Sequence, residues 1–291
     1  MVVIEKKAIR TESKKNLVWR RFKKNKLAIV GIMILGIVLL ICGTAPLYID
    51  YSEVIHQDVT RAFVAPCAEY PFGTDQFGRN LYARMLYGGL VSIGSGFAIV
   101  AMRFVLGLFF GAAAGYFGGK IDTIIMRIMD VFMSVPAIIM EMVVIVSLGQ
   151  SILTLYIALT VVFFPAAARL VRSTILTVRD QEFVAAANCY GSGTFRIIYK
   201  HILPNGIGPV VVDAALSLGA TILAISGMGF IGLGIPSPTP EWGTILAEGR
   251  EFIRYYPYLG IIPGLAIGIC VMALNFIGDG IRDALDPRTK K

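Results

Sequence analysis

DQEFVAAANCYGSGTFRIIYKHILPN, residues 180–205, is a polar and basic stretch held between long apolar segments. The small side chains of Ala185, Ala186 and Ala187 permit close packing. Gly191 supplies a sharp turn, and Leu203-Pro204 is expected to open a new helix after a break. The flanking apolar segments set the class of the protein. Mean hydropathy is +0.72, and charged residues make up 16% of the chain, against roughly 25% in a soluble domain. The chain is therefore read as an all-α, polytopic membrane protein.

A crossing helix needs about 20 apolar residues. Leu27–Ile49 carries no charge over 23 residues, which is longer than the core of a signal peptide, so it is read as a retained first span. Val91–Tyr116 is the second. Val131–Ala168 is 38 residues long and interrupted only by Glu141. At ~57 Å it is too long for one crossing of the bilayer, so it is divided at Gly149-Gln150-Ser151 into spans three and four. Gly206–Gly234 is the fifth, closed by Pro236, Pro238 and Pro240, and Tyr255–Gly278 is the sixth. The predicted organisation is a basic amphipathic arm at 1–26, a first span at 27–49, an outer segment at 50–90, a core at 91–284 containing the loop 173–204, and a tail at 285–291.

Six spans put both termini on one side. That side carries 21 Lys and Arg, including ten in residues 1–26, and the other carries five. The asymmetry places both termini and the loop in the cytoplasm. The net charge of +8 is thus a topology and membrane-surface signal, and no nucleic-acid partner is expected. In the arm, Trp19, Phe22 and their basic neighbours are predicted to lie on the inner leaflet.

Chemistry-bearing patterns are sparse. Cys42, Cys67, Cys189 and Cys270 are scattered, and His56 and His201 stand alone, so neither a disulfide framework nor a metal site is expected. Lys120 follows Gly119, but the rest of a phosphate-binding loop is absent. Gly227, Gly229 and Gly232 match a dinucleotide fingerprint only formally, because they lie inside an apolar span. No membrane-embedded catalytic pair is found. Gly107, Gly111 and Gly115 recur every four residues, as a packing stripe within the chain or a seam to a second subunit, with the former favoured. Arg103, Glu141 and Asp213 are charges inside or near spans, where they are costly unless paired or facing a cavity. Arg103 and Glu141 fall at matching depths, ~15–20 Å from the cytoplasmic ends. They are expected to pair, either as a structural contact or as part of a substrate path.

The loop has the spacing of the E-A-A-x3-G-x9-I-x-L-P motif of ABC-importer permeases. Ala185 stands at the Glu position and His201 at the Ile position, and Glu182 supplies a carboxylate three residues earlier. PFGTDQFGRNLYARMLYG (71–88), GYFGGKIDTIIMRIMDVFMSVP (115–136), FIGLGIPSPTPEWG (230–243) and NFIGDGIRDALDPR (275–288) are similar to further segments of the same family. Asn80 and Ala83 replace its Asp and Ser in the first of these. The chain thus resembles the C-type permease subunit of dipeptide, oligopeptide and nickel importers over nearly its whole length.

The resemblance implies a type I ABC-importer permease with six transmembrane helices in the cytoplasmic membrane, and no enzyme activity of its own. It implies a heterodimer with a homologous permease, two ATPase subunits holding ATP and magnesium, and an extracytoplasmic binding protein. No cofactor is implied on this chain. Glu182, Ala185, Ala186, Ala187, Gly191, Leu203 and Pro204 would couple to the ATPases. Gly73, Thr74, Asp75, Gly78 and Arg79 would face the binding protein. Arg103, Glu141 and Asp213 are candidates for the translocation path. The cargo would be a short peptide or nickel, with Ile225 leaning slightly to nickel. A secondary transporter or channel would explain the spans without ATPases, but not the loop. Cysteines introduced at 2–15 and 285–291 are predicted to react only from the cytoplasm, and those at 52–68 only from outside. Outside labelling of the tail refutes six spans.

Overall fold

A computed structural model describes residues 14–286. The first half of the basic arm, residues 1–13, and the tail from 287, with Arg288, Lys290 and Lys291, lie outside the described residues. Among the described residues every extended regular element is a helix.

Helix α1 (Lys14–Lys24) meets α2 (Lys26–Thr44) at Asn25. The Asn25 Oδ1 accepts the Ala28 N–H at 3.1 Å, and its Nδ2 donates to Asp283 at 3.0 Å. Phe22 packs with Ala28 and Ala284, while Trp19 stays 57% exposed with Lys23 5.0 Å above its ring. The arm is therefore clamped to the end of the last helix, and both ends of the described chain meet at one end of the molecule. An even number of spans requires this. Most of α2 is apolar and exposed, as a lipid-facing helix must be.

After the short α3 (Tyr51–Ile55), α4 runs over 37 residues from Leu81 to Phe117. It starts ten residues before the expected span. The Asn80 side chain accepts from the Tyr82 and Ala83 N–H groups, a cap that fixes the start. The added turns are buried, with Met85, Leu86 and Trp242 in one apolar cluster.

The connection between the expected second and third spans is itself helical. Gly118 and Gly119 both have positive φ, +65° and +55°, and turn the chain into α5 (Gly119–Ser134). Val135 is extended, the conformation favoured before a proline, and α6 (Ala137–Leu148) leaves at 90° after Pro136. Span three is therefore a bent pair. Together with it, five long apolar helices give the six spans.

The turn at Gly149 leads to α7 (Ile152–Arg179) as expected. α8 (Glu182–Cys189) and the single turn α9 (Thr194–Arg196) follow. The break expected before Leu203-Pro204 is absent. A π-helical segment, Ile197–Ile202, joins α9 to α10 (Leu203–Phe230), so the helical run Thr194–Phe230 is continuous. Pro204 lacks an N–H and its ring crowds the carbonyl four residues back. A wider turn just before it accommodates both defects without ending the helix. α11 (Trp242–Gly249) and α12 (Tyr258–Leu285) complete the fold.

The glycine stripe packs within the chain. A Cβ on Gly107 would lie 2.8 Å from that of Ala167, and one on Gly111 would lie 2.5 Å from the Ala168 carbonyl oxygen. Gly115 sits against Arg172 and Ile175 in the same way. α4 and α7 thus approach backbone to backbone. Gly111→Val is predicted to lower the thermal midpoint in detergent, since overpacking of this kind costs about 1–3 kcal/mol. Gly94→Ala, with open space around its Cβ, should leave the midpoint unchanged.

Candidate functional site

The loop at 180–205 is two-faced. Val184, Ala187, Ile197 and Ile202 turn inward and pack with Ile175 and Val178 of α7. Glu182, Ala185 and Ala186 turn outward. So do Tyr190, Phe195 and Tyr199, at 89%, 81% and 69% exposure, with the last two rings stacked. These aromatics were missed in the sequence, although four aromatic residues in a polar loop, Phe183 included, were a usable signal. Gly191 has φ +75° and no atom near its missing Cβ. Backbone sign, and not space, demands glycine there. Its N–H closes on the Asn188 carbonyl at 2.9 Å, and that of Ser192 on Ala187 at 3.2 Å. Pro204 is exposed one residue into α10 and Leu203 is half-buried.

Three arginines fasten α7 to the α4–α5 corner just before this loop. Arg172 forks onto both oxygens of Asp122 at 2.5 Å. Arg169 pairs with Asp130. Arg179 donates to the carbonyls of Gly115 and Tyr116 at 2.9 and 3.3 Å. Bidentate guanidinium contacts of this type fix geometry as well as charge.

The expected Arg103–Glu141 pair is not formed. Arg103 donates to the Oδ2 of Asp213 on α10 at 2.5 Å. Equal depth did not settle azimuth: α4 turns this face to α10, while α6 packs chiefly on α7. Glu141 is buried at 5% exposure and receives no hydrogen bond or ion pair from the described residues. The three candidate path charges are thus one pair and one isolated acid.

At the opposite end, the residues expected to face a binding protein are interior. Asp75 and Arg79 are each 2% exposed and Thr74 is fully buried. Asp75 Oδ2 accepts from Arg79 Nε at 2.6 Å and Arg84 Nη1 at 2.7 Å. Glu248 Oε2 on α11 accepts from the same two arginines at 2.6 Å each. The other Asp75 oxygen caps the turn by accepting from the Phe77 and Arg79 N–H groups. Gly73 and Gly78 have positive φ and close backbone neighbours, Val64 and Asp58. Asp75 is thus held inside by ion pairs and is not part of a solvated surface. Its partners Arg84 and Glu248 come from distant segments, which no local spacing reveals. The solvated part of this segment holds Asp58, whose carboxyl lies below its ordinary range because the Thr60 hydroxyl donates to it.

A second buried carboxylate, Glu241, takes hydrogen bonds from Ser92 and from the Gly243 and Thr244 N–H groups, capping α11. Among the described residues no three His, Cys, Asp or Glu side chains meet in a metal-holding group.

The model of the "binding-protein-dependent transport system inner membrane component" family matches residues 107–291. That of the "N-terminal TM domain of oligopeptide transport permease C" matches residues 15–66. The chain is 41% identical to the dipeptide transport system permease protein of Alkalihalophilus pseudofirmus, covering 94% of this chain and 89% of that one. It is 35% identical to the oligopeptide transport system permease protein of Bacillus subtilis, covering 96% and 93%. Its fold resembles a chain in inward-facing structures of the MetNI methionine ABC transporter, with TM-score 0.57 and 22% identity over 70% of this chain and 96% of that one. The likeness is one of architecture, the all-α polytopic arrangement of a type I ABC importer.

Asp75→Asn is predicted to destabilise strongly the end of the molecule that holds Asp75, Arg79, Arg84 and Glu248. It leaves two buried guanidiniums sharing one carboxylate, and breaking such a pair costs about 3–5 kcal/mol. Thermal unfolding in detergent checks this, with the exposed Glu53→Gln as a control expected to melt with the wild type.

Proposed function

The chain belongs to the family of binding-protein-dependent transport system inner membrane components, and from that membership we propose that it imports short peptides as one permease of an ATP-driven complex. The other members would be a homologous permease, two ATPase subunits holding ATP and magnesium, and an extracytoplasmic binding protein. Both termini and the 180–205 loop would lie in the cytoplasm. The peptide cargo is favoured by the relatives, whose names are those of dipeptide and oligopeptide permeases. The lean to nickel rested on Ile225, which is fully buried among Ile99, Leu155 and Met228, and the names of these relatives do not extend it.

The observation that carries the reading is the two-faced loop. Its inner face is anchored to α7, and its outer face is small, aromatic and unpartnered. Glu182, Ala185 and Ala186 with Tyr190 and Phe195 form a compact surface suited to a cleft on an ATPase. Ala187 supports it from within. Movement of that cleft would act on two levers. One is α7, held to α5 by Arg169 and Arg172. The other is the helix that begins at Thr194 and reaches Phe230 without interruption. Leu203 and Pro204 lie within that second lever. A channel or secondary transporter would have no use for an anchored aromatic knob at the end of two long helices.

At Gly191 a β-branched residue would have to adopt φ near +75°, a conformation closed to it in practice. Gly191→Val is therefore predicted to leave the chain inserted but to reduce peptide uptake and substrate-stimulated ATP hydrolysis at least tenfold. Measurement in reconstituted vesicles decides. Full coupling in the assembled Gly191→Val complex removes the loop from the docking role, and uptake by vesicles lacking the ATPases removes the ABC reading altogether.

A further inference from the structure

Resting on the peptide-permease reading above, we propose that Asp213 is a subsite of the translocation path that receives the ammonium terminus of the peptide, with Arg103 as its positioning residue.

The two halves of the Arg103–Asp213 pair are unequally placed. The Arg103 side chain is 8% exposed and that of Asp213 is 43% exposed. Arg103 engages Oδ2 alone, and its own Nε is sealed in the protein without a partner. The cation is thus shut inside while one oxygen of the acid stays open. Arg103 lies 14 residues before the inner end of α4, which is ~21 Å along the helix. Between two apolar spanning helices an open carboxylate does not rest against hydrocarbon. It requires water, a partner chain or a passing ligand.

The surroundings favour the ligand. On α10, Pro209 and Ala220 are exposed and Ser217 is half-buried, and these sit within two turns of Asp213 on the same side of the helix. Their short side chains do not cover the carboxylate, which stays 43% exposed. Every unmodified peptide carries an α-ammonium group that must be partnered wherever it loses water. A carboxylate oxygen offers a charge-assisted bond to it. Arg103 already neutralises the acid in part, so the hold is weak enough to release. A conducting site needs that property. Asp213 also belongs to the helix that runs unbroken from the docking loop, so a displacement at the loop would reach it directly.

The complex with its partner subunits, reconstituted in vesicles, tests the proposal with trialanine, which carries one ammonium and no other cation. Uptake is read per ATP hydrolysed, and partner co-purification is read in parallel. Asp213→Asn should assemble and lose at least tenfold in uptake, and Asp213→Glu should recover most of it. The swap Arg103→Asp with Asp213→Arg rebuilds the pair but turns the cation outward, and it should assemble without transporting. Wild-type uptake by Asp213→Asn or by the swapped complex overturns the subsite. So does an Asp213→Glu complex no better than Asp213→Asn. Loss of the partner permease from the Asp213→Asn complex assigns the carboxylate to a subunit contact and overturns it as well. Where the swapped chain does not assemble, the Asn and Glu variants decide. Failure of the wild-type complex to take up any peptide is a distinct result: it removes the peptide reading itself, and this subsite with it.

Discussion

The backbone approach of α4 and α7 along Gly107, Gly111 and Gly115 is the contact on which the remaining geometry depends. Without a hydrophobic driving force between helices in lipid, close packing of small residues is what holds a bundle together. This seam spans three successive turns of α4 and meets Ala167, Ala168, Val171, Arg172 and Ile175 of α7. It brings Arg179 within reach of the carbonyls at the end of α4. It turns the Arg103 face of α4 toward α10. It also fixes the end of α7 from which the 180–205 loop departs.

Charges are few in this chain, and nearly every buried one is matched across a long stretch of sequence. Asp75 and Glu248 hold Arg79 and Arg84 at the end away from the 180–205 loop, joining the segment before α4 to α11. Arg103 and Asp213 join α4 to α10 in the middle. Arg169 and Arg172 join α7 to α5 toward the loop end. Removing one partner from such a pair is more costly than the pair is stabilising, because a charge is left in a medium that solvates it poorly. The pairs therefore act as registration marks that fix which helix faces which. Glu141 is the exception, an acid buried without a partner among the described residues.

The helical run Thr194–Phe230 shows how a local defect is absorbed to keep a long-range connection. Pro204 would normally end or kink a helix. The π-helical turn at Ile197–Ile202 accommodates it, so the second half of the 180–205 loop and α10 are one rod. On the other side of the loop, Gly191 interrupts the chain through its positive φ. One junction is thus stiff and the other is a sharp turn.

The sequence by itself determined the class of the protein, the number of crossings, and the position of the turns at Gly149 and Gly191. These follow from hydropathy, from charge asymmetry and from residues whose backbone preferences act locally. The glycine stripe was also legible as a packing face, because its four-residue repeat is a property of one helix. What the tertiary structure alone decided was pairing and azimuth. Arg103 chose Asp213 over Glu141, 110 residues away in sequence, because depth along a helix is readable from counting and direction around it is not. Gly73, Thr74, Asp75 and Arg79 went inside because Arg84 and Glu248 came to meet them. Pro204 became the interior of a helix because the preceding turn widened. Each of these outcomes depends on a low-dielectric interior in which a charge or an unpaired backbone group must find its partner wherever the fold supplies one, and local sequence does not carry that address.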